Sequence, residues 1–386
     1  MILQNSLLSL EFNKLLEIIA QYAKSDASRN AVLSITPLLN KQEIENRFAC
    51  IEEIRRMSQE NRPLSIMPFK DILPVLQKTR PADAMIEPVE LVWLMEFLNS
   101  AHSAAIQIKE DSSFISLNAL IKNLTGMPEL LQILNASIDK DGNILDNASS
   151  TLSRLRAEKR RLEQKIRKRL EEIIRDEGTA LFLQDSFITQ RSGRWVIPVR
   201  MDSKGHVQGV VHDVSRTGET AFVEPMSIIG LSNEFENILA DEKAEVMRIL
   251  RELGSRIRGA ADSLAEGFKI LVFLDLLNSI ALFADKFKMQ SPEINEKNVL
   301  KLIKARHPLL LYSAVQKSRI KDVVPIDVHI GEDKSVMVIT GPNAGGKTVT
   351  IKSIGLLSVM ALSGMPVSAD SSSTIPIFHN LLVDIG

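Results

Sequence analysis

Eight residues near the C-terminal end have the types and spacing to hold a phosphate: Gly341, Pro342, Asn343, Ala344, Gly345, Gly346, Lys347 and Thr348. They match the pattern of a glycine-rich loop that runs into a helix and ends on Lys-Thr. Glycines permit a curled backbone that turns successive N–H groups toward phosphate oxygens. The helix that follows adds the positive end of its dipole. In such a loop Lys347 reaches the β- and γ-phosphates and the Thr348 hydroxyl ligates Mg2+, so ATP and Mg2+ are the expected cofactors. A chance glycine-rich turn is the bland alternative, and the match of every fixed position in one frame weighs against it. A second carboxylate normally holds the metal through water from the end of another apolar strand. Asp384, after Leu381-Leu382-Val383, is a candidate, but Ile385 follows where hydrolysing enzymes often place Glu. No residue is assigned a catalytic role.

The loop needs a strand before it and a helix behind it. Residues 335–340, Ser-Val-Met-Val-Ile-Thr, read as a short apolar strand. Residues 347–362 read as a helix that Gly364 and then Pro366 stop. This α/β texture starts near 295–301 and runs for roughly ninety residues, where typical domains take about 100–150. The expectation is therefore the N-terminal part of a P-loop domain, residues 297–386, in a truncated form.

What precedes it is helical. Leu10, Leu15, Leu16, Ile18, Ile19 and Tyr22 crowd one side of a helical pattern that stops before Pro37. Five prolines between 63 and 88 mark a loop-rich connector, and helical texture resumes over 89–108. Asp139-Lys140-Asp141-Gly142-Asn143 is a turn signal. From 151 to 177, Leu152, Leu155, Leu162, Ile166, Leu170 and Ile173 fall at helical spacings among charges. Such a helix needs a partner for its seam, and Phe235, Ile238, Leu239, Val246, Ile249, Leu253 and Ile257 supply one that returns antiparallel. Between the two, residues 186–190, 194–200, 207–214 and 219–224 read as short strands of an antiparallel sheet at the hairpin tip.

The balance of 47 Lys plus Arg against 48 Asp plus Glu excludes a protein that coats nucleic acid along its whole length. Locally, residues 151–216 hold fifteen basic and nine acidic side chains. Arg191, Arg194, Arg200, Lys204 and Arg216, near the hairpin tip, are candidate contacts to nucleic-acid phosphates, salt-sensitive and blind to sequence. A solvated helix face with Glu158, Glu163, Glu171 and Glu172 as partners is the competing reading of the helix charges. Aromatic content of 5% argues against a base-stacking platform. The one cysteine, Cys50, excludes an internal disulfide framework and reads as a small core residue. None of the six histidines has metal-ligand spacing, and structural hydrogen bonding is expected of His212 and His307. The most apolar stretch, 270–284, is broken by Asp275 and Asn278 and reads as a buried helix rather than a membrane span. With no basic leader at Met1, a cytoplasmic protein is expected.

Thr340 to Thr348 resembles the phosphate loop of the MutS family. The continuation Val349-Thr350-Ile351-Lys352-Ser353-Ile354-Gly355-Leu356-Leu357 is similar to its second bacterial paralogue, which inhibits recombination and carries a C-terminal Smr endonuclease domain. Leu183-Gln184-Asp185, Trp195-Val196-Ile197-Pro198-Val199, Gly209-Val210-Val211-His212-Asp213-Val214-Ser215 and Phe222-Val223-Glu224-Pro225 resemble that branch's clamp. Leu10-Glu11-Phe12 and Arg306-His307-Pro308-Leu309-Leu310 extend the similarity over nearly the whole chain. The resemblance implies a multidomain fold: a mainly α-helical core, a long antiparallel helical lever, a small antiparallel β clamp and the start of an α/β P-loop ATPase domain. On this sequence the parts fall at 1–150 (core, first part), 151–180 (ascending lever), 181–228 (clamp), 229–296 (descending lever and return to the core) and 297–386. It also implies a homodimer with ATP sites completed across the pair, and arms that grip branched or non-specific duplex DNA under ATP control. The second acidic ATPase motif and the nuclease domain would lie beyond Gly386. Phe222-Val223-Glu224 has the Phe-x-Glu form of a mismatch reader but sits in the clamp, so it is read as coincidence. Val323 stands near the family's adenine-stacking position, which would make adenine contact aliphatic. Two other readings compete with the DNA clamp: a ribosome-associated ATPase acting on collided ribosomes, whose arm binds ribosomal RNA, and a small-molecule P-loop kinase, which the long arm disfavours.

Overall fold

A computed structural model describes residues 4–82, 84–317, 319, 323–342, 345–378 and 380–384. The chain divides into two compact units. One gathers Met1–Gln77, Trp93–Leu131 and Ala260–Gly386, the other Lys78–Val92 and Gln132–Gly259.

The second unit is an arm. Its ascending helix, Ser150–Arg175, starts where the Ser149 hydroxyl accepts the Leu152 N–H at 3.0 Å. The returning helix, Ile229–Gly259, runs antiparallel to it. Ser149 donates to Glu245 at 2.6 Å, while Arg156 and Lys159, further along the first helix, both reach Glu242. Glu245 is held at about 2, well below the carboxylate range, chiefly by the Arg248 guanidinium and then by Ser149. Leu155, Leu162, Ile166 and Leu170 bury themselves with Phe235 and Ile238, as their spacing predicts.

The same core continues into the sheet through Trp195, Ile197, Val199 and Val223. Strands β1 (Thr189–Arg191), β2 (Arg194–Arg200), β3 (Gly209–Val214) and β4 (Thr220–Pro225) lie in the order β1-β2-β4-β3, all antiparallel. The first hairpin turns on Ser192 and Gly193, with φ of 50° and 82°, the left-handed pair a two-residue turn requires. The β3–β4 ladder is bulged at His212, between Val211 and Asp213. The sheet expected at the hairpin tip is therefore present, its strands within a few residues of the expected bounds. The 139–143 turn also forms: the Asp139 carboxylate accepts the N–H groups of Asp141 and Asn143 at 2.9 and 2.8 Å.

In the first unit, Leu10, Leu15, Leu16 and Ile19 of the expected stripe are buried, Ile18 and Tyr22 are half-buried, and helix Phe12–Ile19 buries Phe12 as well. Between residues 61 and 87 the one regular element among the described residues is the short helix Leu73–Lys78, as the prolines suggested. Helix Ala261–Lys286 is long and apolar enough to cross a membrane, but 72% of its most apolar window is buried inside the protein. Its Asp275 is fully buried, and Oδ2 accepts the Lys24 N–H at 2.8 Å. Burial pushes this carboxyl's pKa up. Cys50 is buried in helix Lys41–Gln59, where burial raises its thiol to about 11.

A mixed sheet completes this unit: β5 (Glu293–Asn295), β6 (Leu300–Ala305), β7 (Ile326–Ile330) and β8 (Thr374–Pro376), in the order β5-β8-β6-β7. The strand expected over 335–340 is not among them. That run has no ladder partner among the described residues, and Val336 and Val338 are 77% and 79% exposed. An apolar run becomes a central strand only when neighbours supply hydrogen bonds and a covering layer, and here it has neither. The helix expected next, Lys347–Leu362, forms over the expected residues and ends before Gly364, whose φ is 67°.

Replacing Ile166, fully buried in the arm seam, by Ala should destabilise the arm by about 2–5 kcal/mol. Trp195 fluorescence in a Trp93→Phe background should report an earlier urea transition, and an unchanged midpoint would contradict the shared core.

Candidate nucleotide and nucleic-acid sites

The glycine-rich loop curls as its sequence requires. Gly341 has φ 153° and Gly346, the residue before the helix, φ 83°, both in the positive-φ region that favours glycine. The Gly345 N–H donates to the Pro342 carbonyl at 2.9 Å, closing the turn. A Cβ on Gly345 would stand 3.1 Å from that carbonyl oxygen. Asn343 and Ala344 lie outside the described residues. Lys347 spans the loop and donates from Nζ to the Gly341 carbonyl at 2.6 Å. The first N–H groups of helix Lys347–Leu362 have no intrahelical partner, which leaves a concentration of positive dipole at the loop.

Gly345 and Gly346 border a cavity of about 580 Å³. Val323, Val324 and Ile326 form an aliphatic wall, Lys317 and Arg319 bring two cations, and no acidic side chain lines it among the described residues. The volume suits a nucleotide-sized ligand, since ligand pockets run from about 300 to 1,000 Å³. His307, also in the lining, is 6% exposed, and its Nδ1 has no hydrogen-bond partner. This departs from the hydrogen-bonded role expected of it. Burial lowers its pKa, because a dry site penalises the imidazolium. An orphaned nitrogen, two cations and an apolar wall beside a helix N-terminus fit a polyanion carrying a largely apolar base.

The metal position fits less directly. Thr348 lines a separate hollow of about 440 Å³ with Glu11, Lys14 and Lys352. Lys352 and Glu11 form an ion pair there at 3.3 Å. Asp384 is exposed, follows no strand, and lines neither cavity.

The sheet of the arm sorts the five basic candidates. Arg194 is tied inward, 2.7 Å from the Asn233 amide oxygen and 3.7 Å from Glu224. Glu224 is 2% exposed and also meets His212 Nε2 at 2.7 Å, the hydrogen bond expected for that histidine. Arg191 lies over the Phe222 ring at 4.5 Å and pairs with Asp213 at 3.4 Å. Phe222 and Val223 are buried, so the Phe-x-Glu triplet cannot wedge into a base stack. Arg200 stands 3.7 Å from Asp202. Lys204 and Arg216 are exposed and without ion-pair partners among the described residues. The spacing of the sequence carried no signal for the Arg191–Phe222 stack or for the buried Glu224, because both depend on strand register.

In an NMR titration, the signal lost in His307→Gln should have its midpoint below the ordinary histidine value of 6.5. The neutral form is favoured in the folded state, so His307 costs stability as pH falls below that value. A midpoint at or above it would mean the cavity floor is wet.

No protein-family model matches the chain. It is 35% identical over 383 residues to the "Endonuclease MutS2" of Caldicellulosiruptor bescii, covering 99% of this chain and 48% of that protein. The proteins of the same name from Listeria innocua and Bacillus velezensis are 33% and 34% identical, over 98% and 99% of this chain and 47% and 48% of theirs. The chain thus spans about half the length of the curated relatives it matches.

Proposed function

The chain belongs to the MutS2 branch of the MutS family, and from that premise we propose that it forms part of an ATP-dependent, homodimeric clamp on branched or non-specific duplex DNA. The observation that carries this reading is the junction of a left-handed glycine loop, a helix N-terminus and a cavity without an acidic side chain among the described residues. Gly341, Gly345 and Gly346 would cradle phosphates with main-chain N–H groups, together with Asn343 and Ala344, while Pro342, which has no N–H, shapes the turn. Lys347 would exchange its bond to the Gly341 carbonyl for phosphate oxygens. Val323 and Val324 would cover the base with aliphatic groups. ATP with Mg2+ supplies the chemical energy when bound; Thr348 is the hydroxyl this chain offers the metal. Lys204 and Arg216, the free cations of the clamp sheet, would meet DNA phosphates, with Arg191 and Arg200 secondary and Arg194 holding the sheet. The "Endonuclease" in the relatives' name is theirs; for this chain's protein, nuclease activity is proposed along with a cytoplasmic location.

Lys347→Ala should weaken binding of a fluorescent ATP analogue by at least about tenfold, since hydrogen bonds to charged groups contribute about 1.5–3 kcal/mol. Equal affinity in mutant and parent would reject the loop as the phosphate site. Charge reversal of Lys204 and Arg216 should weaken duplex DNA binding and leave the circular dichroism unchanged. Arg194→Glu should instead unfold the sheet, because it would set a second carboxylate beside the buried Glu224. Tighter salt-dependent binding to ribosomal RNA than to DNA would favour the ribosome reading.

A further inference from the structure

The ion pairs of the arm divide its cations into two sets. Helix Ser150–Arg175 carries ten Lys or Arg side chains against four Glu. Seven of the ten are within ion-pair distance of a carboxylate, on the same helix, on the returning helix or on Asp146. The other three, Arg161, Lys165 and Lys168, are exposed and make no ion pair or hydrogen bond among the described residues. These three are not scattered. Spacings of four and three set them on one line of the helix. Their mean direction lies roughly 130° around the axis from that of the buried seam of Leu155, Leu162, Ile166 and Leu170, and they span about 10 Å along it.

Such a line is unfavourable for the isolated helix. Like charges at i and i+4, as in Arg161 and Lys165, repel each other by a few tenths of a kcal/mol, the size of the gain from an opposite pair. Glu158, three residues before Arg161, and Glu172, four after Lys168, pair with Arg154 and Arg169 instead, which leaves the three cations between them without a carboxylate. No large apolar side chain on this helix is exposed, so the face lacks the aromatic or aliphatic anchors on which protein interfaces depend. A row of point charges without anchors is what a phosphate backbone needs.

We infer that Arg161, Lys165 and Lys168 form a contact for the phosphate backbone of duplex DNA, extending the grip of the clamp sheet along the lever helix. The inference rests on the proposed DNA-binding role and adds to it a second, lever-borne site. Fluorescence anisotropy of the intact chain with a labelled duplex, titrated with salt, tests it. Each phosphate contact contributes about 0.9 to the slope of log affinity against log salt. The triple variant R161Q/K165Q/K168Q should therefore lose about 2–3 from that slope and bind more weakly at low salt, with unchanged helix content. Arg169→Gln, which removes a cation already paired with Glu172 at 3.0 Å, should leave the slope nearly unaltered. A parent that binds duplex while the triple variant keeps its slope overturns the lever contact alone. A parent that does not bind duplex overturns both this contact and the DNA-binding reading. Competition by polyglutamate as effective as by unlabelled duplex would assign the line to an acidic protein and overturn the inference.

Discussion

A helix that begins at a left-handed glycine leaves its first N–H groups unpaired, and the nucleotide reading depends on where those groups point. Helix Lys347–Leu362 is held from its other end. Its C-terminal half is buried, and the Leu362 carbonyl accepts the Leu38 N–H at 2.8 Å. The Arg47 guanidinium donates to the Ser363 carbonyl at 2.8 Å, a cation at the negative end of the dipole. Midway, Gly355 lets Leu10 approach so closely that a Cβ there would lie 2.6 Å from its side chain. The anchored end is buried and its last carbonyls are hydrogen-bonded, while the loop end is exposed with its first N–H groups unpaired within the helix. That asymmetry makes one helix a core element at one end and leaves, at the other, the unpaired N–H groups on which the nucleotide proposal rests.

The arm follows a different economy. Its apolar seam is narrow, and the flanking charges do two jobs. Arg156 and Lys159 converge on Glu242, and Arg248 with Ser149 on Glu245, pinning the register of the antiparallel pair. Arg167 lies 5.0 Å from the centre of the buried Trp195 ring, tying the helix to the sheet. Basic residues that look alike in sequence thus divide into those consumed by structure and those left to solvent. Surface charge becomes informative about a partner only after this internal accounting, because paired cations have little field left to offer.

The helices and the strands of the arm's sheet were legible in the sequence because each rests on local periodicity. Leu155, Leu162, Ile166 and Leu170 recur at helical spacing, and Ser192-Gly193 permits a tight turn whatever surrounds it. The curl of the glycine-rich loop was legible for the same reason, since its glycines answer to local backbone geometry. The run at 335–340 failed as a strand because strand formation is a property of neighbours. An apolar run says that a segment could be covered, not that a cover exists.

Sequence by itself determined the left-handed turns, the helix ends and the apolar faces, all of which follow from sterics and spacing within a few residues. Tertiary structure alone decided which cations are free, that Glu224 is buried beside His212 and Arg194, that Phe222 lies under Arg191, and that His307 floors a cavity with an unpaired nitrogen. Each of these joins residues through strand register or helix packing. Pairing energies of that kind are set by distance and burial, which a linear order of residues does not contain.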